Sequence, residues 1–232
     1  MGVGSDGLLL LDGTLGVRIM NPDGSEAEKS GNGIRIFAKW LYDTRRVAAT
    51  SFTVRTRGGD VPVKLEVADR RARVVTANMG RPVFRDDLTE LDVDGERLQV
   101  MALSIGNPHC VVVRDRLDVT ELRRLGPLIE HHAVFPNRTN VQLARAVGPD
   151  RVEVLIWERG TGETRASGSS ACAVVAVLHR LGLLDAAATV SMPGGELSVR
   201  LEGSDVWMRG PVEEVAAIEL SPELIQRLHA LP

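Results

Sequence analysis

The chain is poor in aromatic residues: one Tyr, four Phe and three Trp among 232 positions, 3% in all. Single-stranded nucleic acid is held on aromatic stacking platforms, and this sequence has little material for them. Charge of one sign is missing too. There are 28 basic and 31 acidic residues, a net charge of −3, and no long run of either sign. That balance argues against nucleic acid or an anionic membrane as the main partner. No apolar run approaches the roughly 20 residues of a membrane span. The opening "MGVGSDGLLLLDG" lacks the basic segment that precedes the apolar run of a secretory signal. The two cysteines, Cys110 and Cys172, lie in apolar stretches ("HCVVV", "SACAVVAV") and read as buried reduced thiols, which makes the cytoplasm the expected compartment. His131 and His132 are adjacent, but no ligand spacing accompanies them, so no metal site is expected.

What the chain does have is itself, twice. It is 44% hydrophobic, enough for one large core or two modest ones. A single offset carries Ser30 onto Ser167, Gly31 onto Gly168, Glu26 onto Glu163, Asn21 onto Glu158 and Ile19 onto Ile156. With one residue deleted, "GGDVPVKLE" (58–66) meets "GGELSVRLE" (194–202). A strand, a turn, a helix start and a hairpin recurring in the same order make chance improbable, so each half reads as one α+β unit. Strands are expected at "VRIM", "SFTVRTR", "PVKLEV" and "ARVVTA" in the first half, and at "VEVLIWE", "TVSM", "LSVRLE" and "DVWM" in the second. Helices are expected at about 31–43, 118–129, 168–182 and 221–228, with Gly182 ending the third and Ser221 and Pro222 opening the last. The division falls near 1–105 and 106–232, with the last strands able to return to the first lobe. Two similar lobes imply a cleft between them.

The stretch "EKSGNGIRIFAKW" (28–40) and its echo "RASGSSACAVVAV" (165–177) each set a serine and a glycine before an apolar helix. Unpaired N–H groups and the positive end of the helix dipole make such a start a ready carboxylate site. One copy alone is most often an ordinary N-cap. Two copies related by a pseudo-two-fold can face one ligand from opposite sides, which suits stereoinversion: one group takes a proton from one face and its counterpart delivers one to the other. No Schiff-base lysine context and no Walker-type loop is evident, so inversion without a cofactor is chemically coherent.

At these residues the sequence resembles the diaminopimelate epimerases, pyridoxal-phosphate-independent enzymes of lysine and peptidoglycan precursor synthesis. The resemblance runs through "GVGSDGLLLL", "NPDGSEAEKSGNG" (21–33), "GNPHCVV" (106–112), "FPNRTNV" (135–141), "WERGTGETRASGSSACA" (157–173) and "MPGGELSV". It implies an α+β fold of two pseudosymmetric lobes, each a curled, barrel-like sheet around a central helix, and a cytoplasmic homodimer that converts L,L- to meso-diaminopimelate without a cofactor. Position by position it implies that Asn21, Asn107, Asn140, Glu158 and Arg159 hold substrate, with Arg159 bidentate on the distal carboxylate. Gly31 with Asn32, and Gly168 with Ser169, match the clamps on the α-carboxylate. His109 and Glu158 match the groups that tune the catalytic pair. By itself, His109 also reads as a satisfied turn histidine, and Arg159 as a surface partner for Glu163.

The chain departs from the family pattern at the catalytic pair itself. Ser30 and Ser167 stand where the family has two cysteines, and a serine hydroxyl is far less acidic than a thiol with pKa near 8.5. Neither Cys110 nor Cys172 takes over the role. Cys172 lies within the helix at a non-catalytic position, and in a strand Cys110 points away from His109. Three readings stay open: substitutions made to trap a ligand, natural divergence toward another amino acid or toward activated hydroxyls, and a silent amino-acid-binding paralogue. The run "GSSACA" favours natural divergence. A second departure is the absence of the family's opening segment with its Gly-Asn-Asp-Phe motif, which would expose a sheet edge.

Overall fold

The structure, a computed structural model, describes residues 4–230; Met1–Val3, the head of the first quoted stretch, and the last two residues lie outside it. The first half runs β1 (Leu8–Asp12), β2 (Gly16–Met20), β3 (Glu26–Ala27), α1 (Gly31–Asp43), β4 (Ser51–Thr56), β5 (Gly59–Ala68) and β6 (Arg71–Gly80). A connecting region follows: β7 (Val83–Arg85), a hairpin of β8 (Glu90–Val93) and β9 (Glu96–Gln99), then β10 (Met101–Ser104), β11 (Pro108–Val113) and α2 (Val119–Glu130). The first-half order then recurs as β12 (Asn140–Gly148), β13 (Arg151–Glu158), β14 (Gly162–Thr164), α3 (Gly168–Arg180), β15 (Ala187–Met192), β16 (Gly195–Glu202) and β17 (Asp205–Pro211), and α4 (Pro222–His229) closes the chain.

The internal repeat extends to single hydrogen bonds. Gly58 N–H donates to Glu28 O at 2.6 Å, and Gly194 N–H donates to Arg165 O at 2.7 Å. Leu65 N–H to Thr50 O and Leu201 N–H to Ala186 O are both 2.7 Å. The two long helices also end alike. At α3, Gly182 (φ 72°) and Leu183 donate back to His179 and Leu178; at α1, Arg45 (φ 60°) and Arg46 donate back to Tyr42 and Leu41. The third helix stops at Arg180, two residues short of the expected end, because Gly182 takes the left-handed position beyond the cap.

The two halves share one sheet. Its order is β1-β2-β4-β5-β6-β17-β16-β15-β13-β12-β11-β10-β7, and the antiparallel β6–β17 pairing, with Ala77 opposite Met208, joins them. A division after residue 105 falls within the tight β10–β11 hairpin. The second half of the sheet curls around α3, which touches β10 to β13 and β15 to β17. Every residue of α3 from Gly168 to Leu178 is buried. Its small apolar residues fit that enclosure, and burial overrides the modest helix propensity of its valines. By contrast α1 packs Ile34, Phe37, Ala38 and Leu41 inward and leaves Ile36 and Trp40 half exposed.

Strand β11 is buried on both faces. Val111 belongs to the core around α1 and α3, while Cys110 and Val112 belong to a second core under α2. That alternation turns Cys110 away from His109, as the strand period requires. Burial pushes the thiols of Cys110 and Cys172 up to about 12, which leaves both as apolar filler.

Candidate active site

The N-termini of α1 and α3 meet head to head. A Cβ built on Gly31 would lie 2.7 Å from Gly168 Cα, and one built on Gly168 would lie 2.8 Å from Gly31 Cα. Only two glycines let the backbones come this close. Each helix is capped by its own serine: Ser30 Oγ accepts from Gly33 N–H at 3.1 Å, and Ser167 Oγ accepts from Ser170 N–H at 3.5 Å. The capping oxygens and the unpaired N–H groups of both first turns therefore converge on one region, the positive end of two dipoles.

A cleft of about 940 Å³ opens over it. Its walls include Ser30, Asn32 and Ser169 at the helix starts, and Asn21, Asn107, Asn140, Glu158 and Arg159 further out. Four residues singled out in the sequence, Gly31, Gly168, Ser167 and His109, lie behind that lining; Ser167 is 3% exposed and His109 1%. The two serines are thus equivalent in fold and unequal in access.

His109 is a satisfied core residue of β11, not a turn histidine. Its Nε2 is 3.0 Å from Asn107 Oδ1 and its Nδ1 is 3.1 Å from Gln142 Nε2. Gln142 Nε2 also donates to Ser170 Oγ at 3.0 Å, and Asn107 Nδ2 donates to Ser169 Oγ at 3.3 Å. The network runs from the cleft wall at Ser169, through Asn107, His109 and Gln142, back to the first turn of α3. Burial pushes the imidazole down to about 3, so it is neutral near pH 7 and orients Asn107 instead of carrying charge. Burial acts in the opposite sense on Glu158: its carboxyl is pushed up, against the hydroxyls of Ser167 and Thr164 beside it.

The turn that carries Glu158 and Arg159 is held from below by Glu130 of α2, which the sequence reading passed over. Glu130 Oε2 accepts from Trp157 Nε1 at 2.7 Å, and Oε1 accepts from Gly160 N–H at 2.9 Å. Both flanks of the Glu158–Arg159 pair are fixed by one buried carboxylate. Arg159 does not pair with Glu163, which binds Arg123 at 2.6 Å. Its guanidinium meets Glu28 and the Asn137 carbonyl, and its backbone N–H is taken by Asn140 Oδ1.

Lys29, also unread in the sequence, is buried and lines the cleft. Its Nζ donates to Met79 O at 3.1 Å, and burial lowers its pKa. In the second copy its position is held by Ala166, whose carbonyl accepts from Asn32 Nδ2 at 3.0 Å. A lysine in the register of an alanine has no composition signal of its own. Among the described residues no group of three or more His, Cys, Asp or Glu side chains is placed to hold a metal, and no helix is long and apolar enough to cross a membrane.

Comparison with known proteins identifies the chain's relatives. Residues 1–85 and 101–215 match the family model of diaminopimelate epimerase. The chain is 39% identical to diaminopimelate epimerase 2 of Nostoc sp., over 96% of this chain and 84% of that protein. It is 40% identical to the diaminopimelate epimerase of Pelotomaculum thermopropionicum, over 92% and 82%. Among solved structures, a hydroxyproline epimerase from Agrobacterium vitis shares the fold at a TM-score of 0.71 and 17% identity, covering 88% of this chain and 71% of that one. Two half-sheets, two facing helix starts and this extent of shared sequence lead to one conclusion: the chain belongs to the diaminopimelate epimerase family.

Proposed function

We propose that the protein is a cofactor-independent epimerase that interconverts L,L- and meso-diaminopimelate, an isomerase of lysine and peptidoglycan precursor synthesis. The observation that carries this reading is the contact between the α1 and α3 N-termini at Gly31 and Gly168. Inversion needs a proton-transfer group on each face of one carbon, and two capping serines from related halves supply that arrangement. The backbone N–H groups of both helix starts, with Asn32 and Ser169, take the α-carboxylate and stabilise the charge that grows on it as the α-proton leaves. Arg159, with Asn21, Asn107 and Asn140, takes the carboxylate at the far end. His109 positions Asn107, and Glu158 stands beside Ser167 as the titratable group on that side.

Ser30 and Ser167 occupy the acid and base positions. The hydrogen bond that each oxygen accepts at its helix start favours an ionised form, but a hydroxyl starts from far lower acidity than a thiol. Turnover is accordingly slow, and the double variant Ser30→Cys, Ser167→Cys raises it. The deciding experiment is incubation with L,L-diaminopimelate in deuterated water, following the α-hydrogen by NMR. Exchange with appearance of the meso form supports the reading. Binding without exchange supports the second reading, a ligand-binding relative, which the serine pair and the burial of Ser167 favour. Absence of both points to a racemase acting on another amino acid.

The reading extends to a cytoplasmic homodimer with no nucleic-acid partner. The edge strand β1 leaves Leu8 and Leu10 exposed on one face, an apolar pair suited to a second copy, and both cysteines are free.

A further inference from the structure

Lysine is scarce in this chain: of 28 basic residues only Lys29, Lys39 and Lys64 are lysines. Lys64 is exposed on β5, and Lys39 is buried against the Asp43 carboxylate at 2.6 Å. Lys29 is as buried as Lys39, each 6% exposed, yet no carboxylate neutralises it among the described residues. Of its three N–H donors, one goes to Met79 O at 3.1 Å. Backbone makes room for the ammonium: a Cβ on Gly106 would lie 3.3 Å from Nζ, and one on Gly80 3.9 Å. The titratable group that faces it from α3 is Cys172, whose thiol burial keeps protonated. Lys29 leads directly into Ser30, and Gly106 into Asn107, which donates to Ser169. Lys29, Ser30, Asn107 and Ser169 all line the cleft.

A buried ammonium without a counter-ion is costly, and where the protein supplies no anion a ligand can. We propose that Lys29 is a further functional residue of the reacting end: its ammonium is the counter-charge for the ligand's α-carboxylate, and for the second negative charge that builds there as the α-proton leaves. The two helix starts offer partial charges, and Lys29 adds a whole one. The second copy has Ala166 at this position, so the charge acts from the Ser30 half alone. Its effect suits a serine pair. An α-carbon made more acidic demands less of a weakly basic hydroxyl.

This rests on the cleft being a diaminopimelate site, and one titration separates the two claims. With three lysines, the full chain carrying carbon-13 lysine gives few signals, and the Lys29 Cε signal is the one lost in Lys29→Arg. NMR follows its titration with and without saturating L,L-diaminopimelate, while calorimetry records binding independently. Burial holds the free ammonium below the ordinary 10.5. A carboxylate beside it favours the charged form, so binding is expected to raise the midpoint by about one pH unit or more. Lys29→Met is expected to lose about tenfold or more in affinity, and Lys29→Arg, which keeps the charge, to retain most of it. Should Lys29→Met lose its fold, the wild-type midpoint decides alone. Binding with an unmoved midpoint would show that Lys29 only ties β6 to the β10–β11 turn, and would overturn the proposal while leaving the diaminopimelate reading intact. A wild type that does not bind diaminopimelate would remove that reading and the role of Lys29 with it.

Discussion

Gly31 and Gly168 touch across the pseudo-two-fold, each occupying the space where the other's side chain would lie. The contact sets the separation of the two helix starts and of the serines that cap them. A methyl group at Gly31 would also come 3.1 Å from Met208 Sδ, so it meets backbone on one side and a buried thioether on the other. Gly31→Ala is therefore expected to cost about 1–3 kcal/mol by overpacking. Chemical denaturation measures it. Ligand affinity in the surviving fold should fall as well if, as proposed, the two capped turns converge on one carboxylate.

The same repeat makes a stabilising prediction. Arg45 and Gly182 hold equivalent places after α1 and α3, and both take a left-handed backbone, φ 60° and 72°. Glycine adopts that conformation without steric penalty and arginine does not. Arg45→Gly should raise stability by a few tenths to about 1 kcal/mol, since the removed strain exceeds the added chain entropy of the unfolded state. A thermal melt that moved down would mean that the Arg45 side chain makes a compensating contact.

Much of this fold was legible because its signals are local. The capping serines, the glycine after each and the alternating strands mark α1, α3, β4 to β6 and β15 to β17 within a few residues of their observed ends. The β8–β9 hairpin also carries a local signal, Asp94-Gly95, and both residues have positive φ as its two-residue turn requires. Other features had no local signal. Strand β11 pairs in parallel with β12 across the whole of α2, and β17 joins the halves by pairing with β6, which is more than half the chain away in sequence. The site divides the same way. Its asparagines, Glu158 and Arg159 were read from motifs, whereas the contacts that hold them, Glu28 on Arg159 and Glu130 beneath the turn, join residues from different elements. Ser167 was read correctly as the partner of Ser30 in the repeat, but its deeper burial follows from the enclosure of α3 by seven strands.

The neutral state of His109 has a consequence for acid stability. The imidazole's folded value is depressed to about 3 from the ordinary 6.5. As pH falls below 6.5 the unfolded chain binds a proton there that the native chain refuses, so stability present above 6.5 is lost progressively down to about 3. The slope from this one group approaches about 1.4 kcal/mol per pH unit inside that window. His109→Gln, which cannot titrate, should be less stable at pH 7 through loss of the Gln142 and Asn107 contacts. Its stability should also vary less between pH 6.5 and 4, as denaturant melts at several pH values would show. An unchanged slope would mean that other groups dominate acid unfolding.

Glu130 offers the most direct way to loosen the far end of the cleft without touching its lining. Its two oxygens accept from Trp157 Nε1 and Gly160 N–H, and Arg138 donates to Oε1 at 3.3 Å, so three donors converge on one carboxylate that is 3% exposed. Glu130→Gln replaces an oxygen with an amide NH₂, which must then face either the indole N–H or the Gly160 N–H, and the loss of charge leaves Arg138 less well held. The cost to stability is expected at about 2–3 kcal/mol, the range for charge-assisted bonds that lose a partner. Function should suffer in a particular way. The Glu158–Arg159 turn gains freedom, so affinity for a dicarboxylic ligand drops, while the helix starts proposed to take the α-carboxylate keep their geometry. Calorimetry with diaminopimelate and with a short amino acid such as alanine distinguishes this from general unfolding. Selective weakening of the longer ligand is the expected result, and equal weakening of both would show that Glu130 supports the fold and not this end of the site.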